Sequence, residues 1–318
     1  MKVFITGGAG FIGIHLCKKL LLQNHDVTIY DNFENSSQEH FTSTFKHKVT
    51  IIPGDITHYS SLVSAMKNHD VVIHLAAKIS VPDSIIHPKS TFDTNVHGTQ
   101  NVLDACLEDK ITTIIAASTA AVYQNFSAKT IFDEKSPTLP SSPYGTSKLE
   151  MEKKINDLTL TNKIYATVLR LFNVYGHGQS PEYAGVITQF KEKMNNNSPL
   201  TIYGDGSAVR DFVHIDDVLT SLEIASQQSN IDGEIIDVGT GNETSVEEIV
   251  NLSNQLSDDD MIINWNDKKQ RENDVSDESI FLSRQNDQKL NWKPSISLEV
   301  GLQKTLEWYK QNIKLYRT

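Results

Sequence analysis

Apolar segments of strand length alternate with helical segments through the first half of the chain. The strand-like segments include KVFITG, DVTIYD, VTIIPGD, DVVIHLAA and ITTIIAAS, which are rich in valine and isoleucine. Stretches with helical spacing of apolar residues separate several of them, notably residues 58–69 and 91–108. Buried strands connected by helices predict a doubly wound parallel sheet of the α/β class. We therefore expect a Rossmann-like domain in this half.

The second half of the chain has a less regular pattern. A further strand is predicted in IYATVLRLFNVYG, and a loop-rich region with one short helix around residues 184–195 follows it. RDFVHIDDVLTSLEIAS predicts a strand and then a helix, and EIIDVGTG predicts a strand with a turn. Residues 245–256 and 297–314 have helical patterns, whereas residues 266–279 are charged and polar, which indicates an exposed or partner-facing loop.

These patterns divide the 318 residues into two expected domains. Residues 1–172 should form the Rossmann-like domain, joined by strands and a helix from about 212–240. Residues 173–318 should form a smaller α/β domain for the substrate. The boundary falls near Phe172, where the last strand of the regular pattern ends.

Charge and apolar run length argue against several classes of protein. The formal net charge is −11, whereas non-specific nucleic-acid binding needs a basic surface. The longest apolar runs are strand-sized and too short to span a bilayer. Cys17 and Cys106 both lie in apolar helical patterns, which disfavours a disulfide framework. Because the N-terminus also lacks a signal-peptide pattern, we expect a cytoplasmic protein that binds neither nucleic acid nor membrane.

A glycine-rich turn follows the first predicted strand. In TGGAGFIG, Gly7, Gly10 and Gly13 are spaced three residues apart, and Gly8, Gly10 and Gly13 also fit the form G-x-G-x-x-G. Glycine lets the backbone turn tightly and approach a pyrophosphate, whose charge then meets the N-terminus of the following helix. An ordinary glycine turn is the alternative. The position between a strand and a helix nevertheless predicts a dinucleotide site.

Two aspartates end later strands of the pattern. Asp31 comes about 20 residues after the glycine turn, where a carboxylate binds the ribose 2′-hydroxyl of a dinucleotide. The same charge would repel a 2′-phosphate, so we predict NAD rather than NADP; a surface turn in YDN is the alternative. Asp55 ends the next strand, where it either reaches the adenine or caps its own loop.

A tyrosine and a lysine in SPYGTSKLE form a candidate proton-transfer pair. Tyr144 and Lys148 are four residues apart, which places them on one face of a helix. A phenol titrates near 10 and is a poor base at neutral pH. An adjacent ammonium, together with the positive nicotinamide of NAD, should lower the pKa of Tyr144. The bland alternative is a surface pair on a helix.

With these motifs the chain resembles the extended short-chain dehydrogenases/reductases of the nucleotide-sugar epimerase/dehydratase family. The matching segments run in family order and cover nearly the whole chain: TGGAGFIG, YDN, GDI, HLAAKISV, NVHGTQNVL, STAAVY, YGTSKLE, LRLFNVYG, LTIYGDGSAVRDFVHIDDV and LNWKP. The resemblance implies a Rossmann-like domain that holds NAD, and a nucleotide sugar in a cleft formed with the C-terminal part.

The resemblance also implies roles for individual residues. Thr119 matches the family's catalytic Ser/Thr, which hydrogen-bonds the sugar 4-hydroxyl beside Tyr144, and Lys148 should also hold the nicotinamide ribose. The positions that match cofactor contacts are Gly7, Gly10, Phe11, Ile12, Gly13, Asp31, Asn32, Asp55, Ile56, Leu75, Ala76, Ala77, Lys78, Asn95, Ser118, Tyr144, Lys148 and Phe172.

Most positions that match substrate contacts lie in the second half. Asn173 matches a diphosphate contact, and Arg210 and Arg271 match phosphate clamps, which suit the forked guanidinium; solvated surface charges are the alternative. The usual glycine before Asp274 is missing, and SDESIFLSRQ departs from the family pattern. His177 replaces the usual proline, and we interpret it as a solvent-exposed loop histidine. The expected substrate contacts are Ser80, Thr119, Asn173, Val186, Thr201, Tyr203, Arg210, Arg271 and Asp274.

Two alanines, Ala120 and Ala121, follow Thr119. Related 4,6-dehydratases carry Asp-Glu there, and related decarboxylases and GDP-sugar dehydratases carry a glutamate. A proton cannot be moved without a titratable group within reach. We therefore expect a UDP-hexose 4-epimerase for glucose and galactose configurations, with N-acetylhexosamines as further candidates. The alternatives are a UDP-uronic acid epimerase, another NAD-dependent nucleotide-sugar enzyme, or a non-catalytic NAD or nucleotide-sugar sensor.

Two predicted helices match those that the family uses for a two-fold, four-helix dimer interface. They cover residues 91–108 and 143–158. The segment FDTNVHGTQNVLDACLE has apolar positions on more than one face, which fits burial on both sides; packing against the chain's own sheet alone is the alternative. We expect a homodimer.

Overall fold

The computed structural model describes residues 1–123, 130–132, 135–161, 164–179, 187, 199–203, 205–228, 233–257, 262–266, 280–282 and 287–312. Its strands, in chain order, are β1 (Lys2–Thr6), β2 (Asp26–Asp31), β3 (Thr50–Pro53), β4 (Val71–His74), β5 (Thr113–Thr119), β6 (Thr130–Phe132), β7 (Tyr165–Leu171), β8 (Asn173–Tyr175), β9 (Leu200–Tyr203), β10 (Val209–Arg210), β11 (Phe212–His214), β12 (Ile235–Val238), β13 (Thr244–Ser245), β14 (Ile263–Asn266) and β15 (Ile280–Leu282).

The α-helices in the same residues are named in chain order. They are α1 (Phe11–Leu22), α2 (Gln38–Phe45), α3 (Tyr59–Met66), α4 (Val81–Ile86), α5 (Pro88–Phe92), α6 (Thr99–Asp109), α7 (Pro143–Thr161), α8 (Ile215–Gln227), α9 (Val246–Gln255), α10 (Asp287–Leu290) and α11 (Leu298–Asn312). One π-helical turn, Asp93–Gly98, joins α5 to α6, and a 3₁₀ turn, Ala120–Val122, follows β5. None of the helices in the described part of the chain is long and apolar enough to cross a membrane.

Seven parallel strands form the central sheet in the order β12-β7-β5-β4-β1-β2-β3. Side chains of β1 point alternately to the two faces of the sheet. Val3 and Ile5 pack in one buried cluster with α1 and α8. Phe4 packs in the other cluster, with α3, α6 and α7. The doubly wound parallel sheet predicted from the apolar segments is therefore confirmed, because both faces of these strands are covered by helices.

The chain returns to the central sheet after leaving it at Phe172. Strand β12 pairs with β7, and α8 packs against α1. Lys19 of α1 pairs with Glu223 of α8 at 2.8 Å. Strand β11 has a different partner, since it pairs with β8 in a separate two-stranded sheet. The single strand predicted in IYATVLRLFNVYG is thus wrong in its extent, because the segment breaks at Phe172 and serves two sheets as β7 and β8.

A third buried cluster fills the C-terminal part. It joins β9, α9 and α11 around Leu200, Ile249 and Leu302. The predicted helices at 245–256 and 297–314 are confirmed as α9 and α11. The predicted loop at 266–279, beyond Asn266, and the predicted helix at 184–195, apart from Ile187, lie outside the described residues.

Replacement of Gly7 by alanine should destabilise the fold. Gly7 has a φ of +70°, and a Cβ there would lie 2.6 Å from the backbone nitrogen of Ala76. We expect the free energy of unfolding to fall by about 1–3 kcal/mol. Alanine is strained at a positive φ, and its methyl group would clash with the backbone that follows β4. Urea unfolding measures this change. Gly10→Ala is the matched control, since its nearest neighbour would be the Gly7 oxygen at 3.3 Å. Equal stability of the two variants would contradict the prediction.

Candidate active site

The glycine turn brings the start of α1 close to the end of β4. A Cβ at Gly13 would lie 2.5 Å from the Gly8 oxygen, so the helix and the turn pack without side chains between them. Gly10 is the N-cap of α1 and offers no side-chain cap, and the first intrahelical bond runs from Ile14 N to Gly10 O at 2.9 Å. The N–H groups of Phe11, Ile12 and Gly13 therefore have no partner within the helix. This cradle fits the pyrophosphate of a dinucleotide.

Asp31 lies at the end of β2 beside the glycine turn. Its Oδ2 accepts a hydrogen bond from Ala9 N at 2.9 Å, and its Oδ1 accepts one from Phe33 N at 2.8 Å. Burial raises the pKa of Asp31, and these two hydrogen bonds oppose the rise. Asp31 thus ties β2 to the turn, and its contact with a ribose stays a prediction.

Asp55 caps its own loop, which was one of the two roles predicted for it. Its Oδ1 accepts from the backbone and side chain of Thr57 at 2.8 and 2.7 Å, and its Oδ2 accepts from Asn32 Nδ2 at 2.9 Å. Burial would raise the pKa of Asp55, but these hydrogen bonds outweigh it and hold the pKa below its ordinary value. A contact with adenine stays a prediction. Ile56, which follows it, is buried against Gly98.

The segment from Leu75 to Lys78 follows β4 and is fastened from two sides. Leu75 N donates to Thr6 O at 3.0 Å, beside the glycine turn. Asn95, buried in the π-helical turn, accepts from Lys78 N at 2.8 Å and donates to Lys78 O and Ser147 Oγ, both at 2.9 Å. The predicted cofactor residues Leu75, Ala76, Ala77, Lys78 and Asn95 therefore lie in one connected region next to α7.

Thr119, Tyr144 and Lys148 converge where β5 ends against the start of α7. Thr119 Oγ1 accepts from Ala121 N at 3.2 Å, which leaves its own hydrogen for donation. A side-chain hydrogen bond joins Thr119 to Tyr144. Lys148 is buried, and its Nζ donates to Ala117 O in β5 at 2.8 Å. The structure thus brings together the three residues that the sequence assigned to catalysis.

The protein by itself does not lower the pKa of Tyr144, contrary to the effect expected from an adjacent lysine. Burial raises the pKa of Tyr144 to about 12, and the hydrogen bond with Thr119 opposes it. Burial lowers the pKa of Lys148 to about 8, while the charge of Glu152 raises it. Desolvation penalises the charged form of each residue and is the largest cause of both pKa shifts. The lowering of the Tyr144 pKa by the positive nicotinamide of NAD stays a prediction.

Two serines make hydrogen bonds to α7, the helix that carries Tyr144 and Lys148, and the sequence did not predict these contacts. Ser118 donates its hydroxyl to Glu152 Oε1 at 2.5 Å, in the protein interior. A cofactor contact through the other atoms of Ser118 stays a prediction. Ser84, fully buried in α4, accepts from Tyr144 N at 3.1 Å. No motif in the sequence singled out Ser84, and no helix was predicted where α4 lies.

The residues expected at the substrate are described unequally. Asn173 is exposed at the start of β8, and its Nδ2 donates to Asp211 O at 3.2 Å. Arg210 lies in β10, with its Nη1 donating to Val209 O at 2.7 Å. Ser80 caps α4 by accepting from Asp83 N at 3.1 Å. Thr201 and Tyr203 lie in β9, where the Thr201 side chain is partly buried and only the backbone of Tyr203 is described; Val186, Arg271 and Asp274 lie outside the described residues.

The apolar wall of the site comes from the residues around the two alanines. Ala120 and Phe172 belong to one buried cluster with Val122 and Tyr123. Phe172 follows β7 and donates its N–H to Val238 O at 3.1 Å. The strand ends therefore place Phe172 beside the 3₁₀ turn that carries the alanines.

His177 is not the solvent-exposed histidine that its loop sequence suggested. Its ring is partly buried between His15 and Trp308, with centroid distances of 4.5 and 4.9 Å. Its carbonyl oxygen lies 2.9 Å from His15 Nε2. The polar segment GHGQ gave no sign that α1 and α11 converge on it. Burial and the nearby His15 lower the pKa of His177 to about 4.

No cluster of histidine, cysteine, aspartate and glutamate that could hold a metal ion occurs in the described ranges. The candidate site therefore consists of a glycine-rich anion cradle, a tyrosine–threonine–lysine group and an apolar wall. All three are set along one edge of the central sheet.

Comparison with known proteins gives this arrangement a context. The NAD dependent epimerase/dehydratase family matches residues 3–239. A putative UDP-glucose 4-epimerase of Methanocaldococcus jannaschii is 35% identical, with 98% of this chain and 99% of the relative covered. A UDP-N-acetyl-alpha-D-glucosaminuronate decarboxylase of Bacillus cytotoxicus is 32% identical, with 98% of each chain covered.

The fold is also similar to a solved structure with a bound sugar nucleotide. The UDP-glucose 4-epimerase of Thermotoga maritima, solved with UDP-glucose, has a TM-score of 0.89 to this chain. The two sequences are 30% identical, and the match covers 98% of this chain and 100% of the other.

Acidification should destabilise the protein partly through His177. Its pKa is about 4 in the folded chain and 6.5 ordinarily, so between these values the unfolded chain binds a proton that the folded chain does not. Stability from this residue is therefore lost as the pH falls below about 6.5. Urea unfolding at about pH 7 and about pH 5 should show a smaller difference for His177→Asn than for the original chain. His40→Asn, at an exposed histidine of α2, is the control. An unchanged pH dependence in His177→Asn would refute this role.

Proposed function

The chain belongs to the NAD dependent epimerase/dehydratase family, and on that premise we propose that it is a UDP-hexose 4-epimerase. The observation that carries the proposal is the turn directly after Thr119. Both of its first residues are alanines, and Ala120 packs in an apolar cluster with Phe172. Elimination from an oxidised sugar needs a further acid or base within reach, and neither alanine side chain can supply one. Their methyl groups support a reaction that only inverts the C4 centre.

The catalytic group supports proton transfer at the sugar 4-hydroxyl. When bound, NAD supplies the acceptor and the later donor for the C4 hydride. Tyr144 removes the O4 proton, and Thr119 hydrogen-bonds Tyr144 and so holds the tyrosine beside the sugar 4-hydroxyl. Lys148 is buried four residues after Tyr144 on α7, and it stabilises the tyrosinate because charge interactions are stronger in an interior of low polarity. After the 4-keto sugar has turned over, Tyr144 returns the proton and the configuration at C4 is inverted.

The residues for the nucleotide lie on the second part of the chain. We assign Asn173 and Arg210 to the diphosphate, because Asn173 Nδ2 donates to the backbone oxygen of Asp211, the residue that follows Arg210. Arg271 is a second phosphate ligand, and Asp274 binds the ribose of the nucleotide. Val186, Thr201 and Tyr203 surround the base. The solved epimerase from Thermotoga maritima with UDP-glucose supports UDP as the nucleotide. Residues 173–318, without the returning segment near 212–240, act as the substrate domain.

The reaction is tested by following C4 inversion by NMR with UDP-glucose, UDP-galactose and their N-acetylated forms. Tyr144→Phe should lower turnover by about 10²–10⁴-fold and keep bound NAD, because only the proton acceptor is lost. Tyr59→Phe is the control, since that tyrosine lies on α3 and hydrogen-bonds Glu108 at the surface. No inversion of any of these sugars by NAD-loaded protein would refute the proposal. A UDP-uronic acid is included in the same assay, and release of carbon dioxide from it would indicate a decarboxylase instead of an epimerase.

We also propose that the enzyme is a homodimer through α6 and α7. These helices pack together, and Lys154 of α7 donates to Gln100 of α6 at 3.0 Å. The outward face of α6 carries Gln100, Asp104 and the exposed apolar Leu107, and the exposed His97 of the preceding π-helical turn lies one turn before Gln100. Burial of such a face against its symmetry mate would build a four-helix interface.

Light scattering after size-exclusion chromatography should give twice the monomer mass. Leu107→Lys should shift the protein toward monomer, because a charge would be buried in the interface. Leu22→Lys, at an exposed leucine of α1, changes the charge equally and should stay dimeric. A monomeric original chain, or equal behaviour of both variants, contradicts this interface.

A further inference from the structure

A cluster of charged side chains is buried beneath the catalytic strand end. Ser118, Arg170 and Asp237 lie at the same level on three neighbouring strands, since Arg170 is in register with Ser118 of β5 and Asp237 of β12. Glu152 reaches them from α7, and Tyr123 from the turn after β5. We call these five residues the buried charge cluster; each is at most 4% exposed.

Hydrogen bonds connect the whole cluster. Glu152 accepts from Arg170 Nε at 3.0 Å and Nη2 at 2.7 Å, a forked ion pair, and from Ser118 Oγ at 2.5 Å. Arg170 Nη1 donates to Tyr123 Oη at 2.9 Å. Tyr123 Oη then donates to both carboxylate oxygens of Asp237 at 2.7 Å. Each ionised member therefore has a partner.

Stability alone is a poor explanation for this cluster. Buried ion pairs carry a large desolvation cost, and apolar residues of similar volume often stabilise a fold as well or better. The place of the cluster is informative instead. Ser118 directly precedes Thr119, and Glu152 follows Lys148 by one helical turn. The bond between Ser118 and Glu152 thus connects the strand and the helix that carry the catalytic group.

The charge of Glu152 also complements that of Lys148. The Lys148 ammonium is buried, and among the described residues it donates hydrogen bonds to two neutral atoms, Ala117 O at 2.8 Å and Met151 Sδ at 3.7 Å. The negative charge of the Glu152 carboxylate favours the protonated form of Lys148 and so raises its pKa. Burial nevertheless leaves the pKa of Lys148 at about 8, so modest changes in its surroundings alter its charge near neutral pH.

We propose that Glu152 is a positioning residue for the catalytic group: it fastens the end of β5 to α7 and supplies the counter-charge for Lys148. Its effect on turnover rests on the proposed function, but its effect on Lys148 is independent of any substrate. Arg170 holds the Glu152 carboxylate in place through the forked pair, and Tyr123 and Asp237 hold Arg170.

Glu152→Gln tests the counter-charge, because the amide keeps the shape and loses the charge. Lysine labelled with ¹³C at Cε reports the pKa of Lys148 by NMR, with Lys148→Met to assign its signal. We expect a pKa lower than in the original chain by about one or more. Turnover should fall with little change in KM, and its alkaline limb should move to lower pH. Glu152→Asp keeps the charge and should restore the pKa of Lys148.

Glu150→Gln is the matched control. Glu150 lies on the same helix but pairs with Lys153 at the surface at 2.7 Å, so the same change in charge should leave Lys148 as it was. If Glu152→Gln gives the same Lys148 titration as Glu150→Gln, the counter-charge role is refuted.

Ser118→Ala tests the fastening without breaking the ion pair, and it serves also if Glu152→Gln fails to fold. We expect turnover to fall about tenfold or more at unchanged Lys148 pKa, because Thr119 loses its fixed position relative to Tyr144. Full turnover in Ser118→Ala would refute the fastening role. A protein that inverts no UDP-sugar but still shows the Lys148 shift in Glu152→Gln would refute the epimerase and leave the counter-charge role standing.

Discussion

The parallel direction of the central strands is the constraint on which the site depends. In a parallel sheet all carboxyl ends lie along one edge, so the segments that follow the strands meet there. The glycine turn follows β1, Asp31 ends β2, the segment fastened by Asn95 follows β4, and Thr119 ends β5. An antiparallel arrangement would have sent every second one of these segments to the opposite edge.

Desolvation then determines the chemistry available at that edge. Helix α7 lies on the sheet so that Lys148 is buried against β5, and burial makes both tyrosinate and ammonium costly. The protein offsets this cost with fixed groups: the hydroxyl of Thr119, the carbonyl of Ala117 and the charge of Glu152. Hydrogen bonds and packing fix these groups, and fixed charges and dipoles stabilise developing charge without reorganisation.

The absence of reactive groups in the turn after β5 has a physical meaning of its own. Ala120 packs with Phe172 in an apolar cluster, and this packing gives the turn an apolar surface. On our proposal the wall has two effects: it provides no proton donor for a side reaction, and it lets a keto sugar turn without being held by a charge.

The sequence by itself determined the class of fold and identified the three residues of the proposed catalytic group. Strand-length apolar segments, a glycine turn at a strand end and a tyrosine four residues before a lysine each carry a local signal. Periodicity and spacing preserve such signals along the chain. The buried charge cluster has none, because its members are separated by up to 119 residues between Ser118 and Asp237 and meet only through strand register. His177 and the break at Phe172 are of the same kind, since the elements that pack around them come from distant parts of the chain. Tertiary structure alone decided the partners of these residues, because burial and hydrogen bonding depend on residues that are distant in the chain and adjacent in the fold.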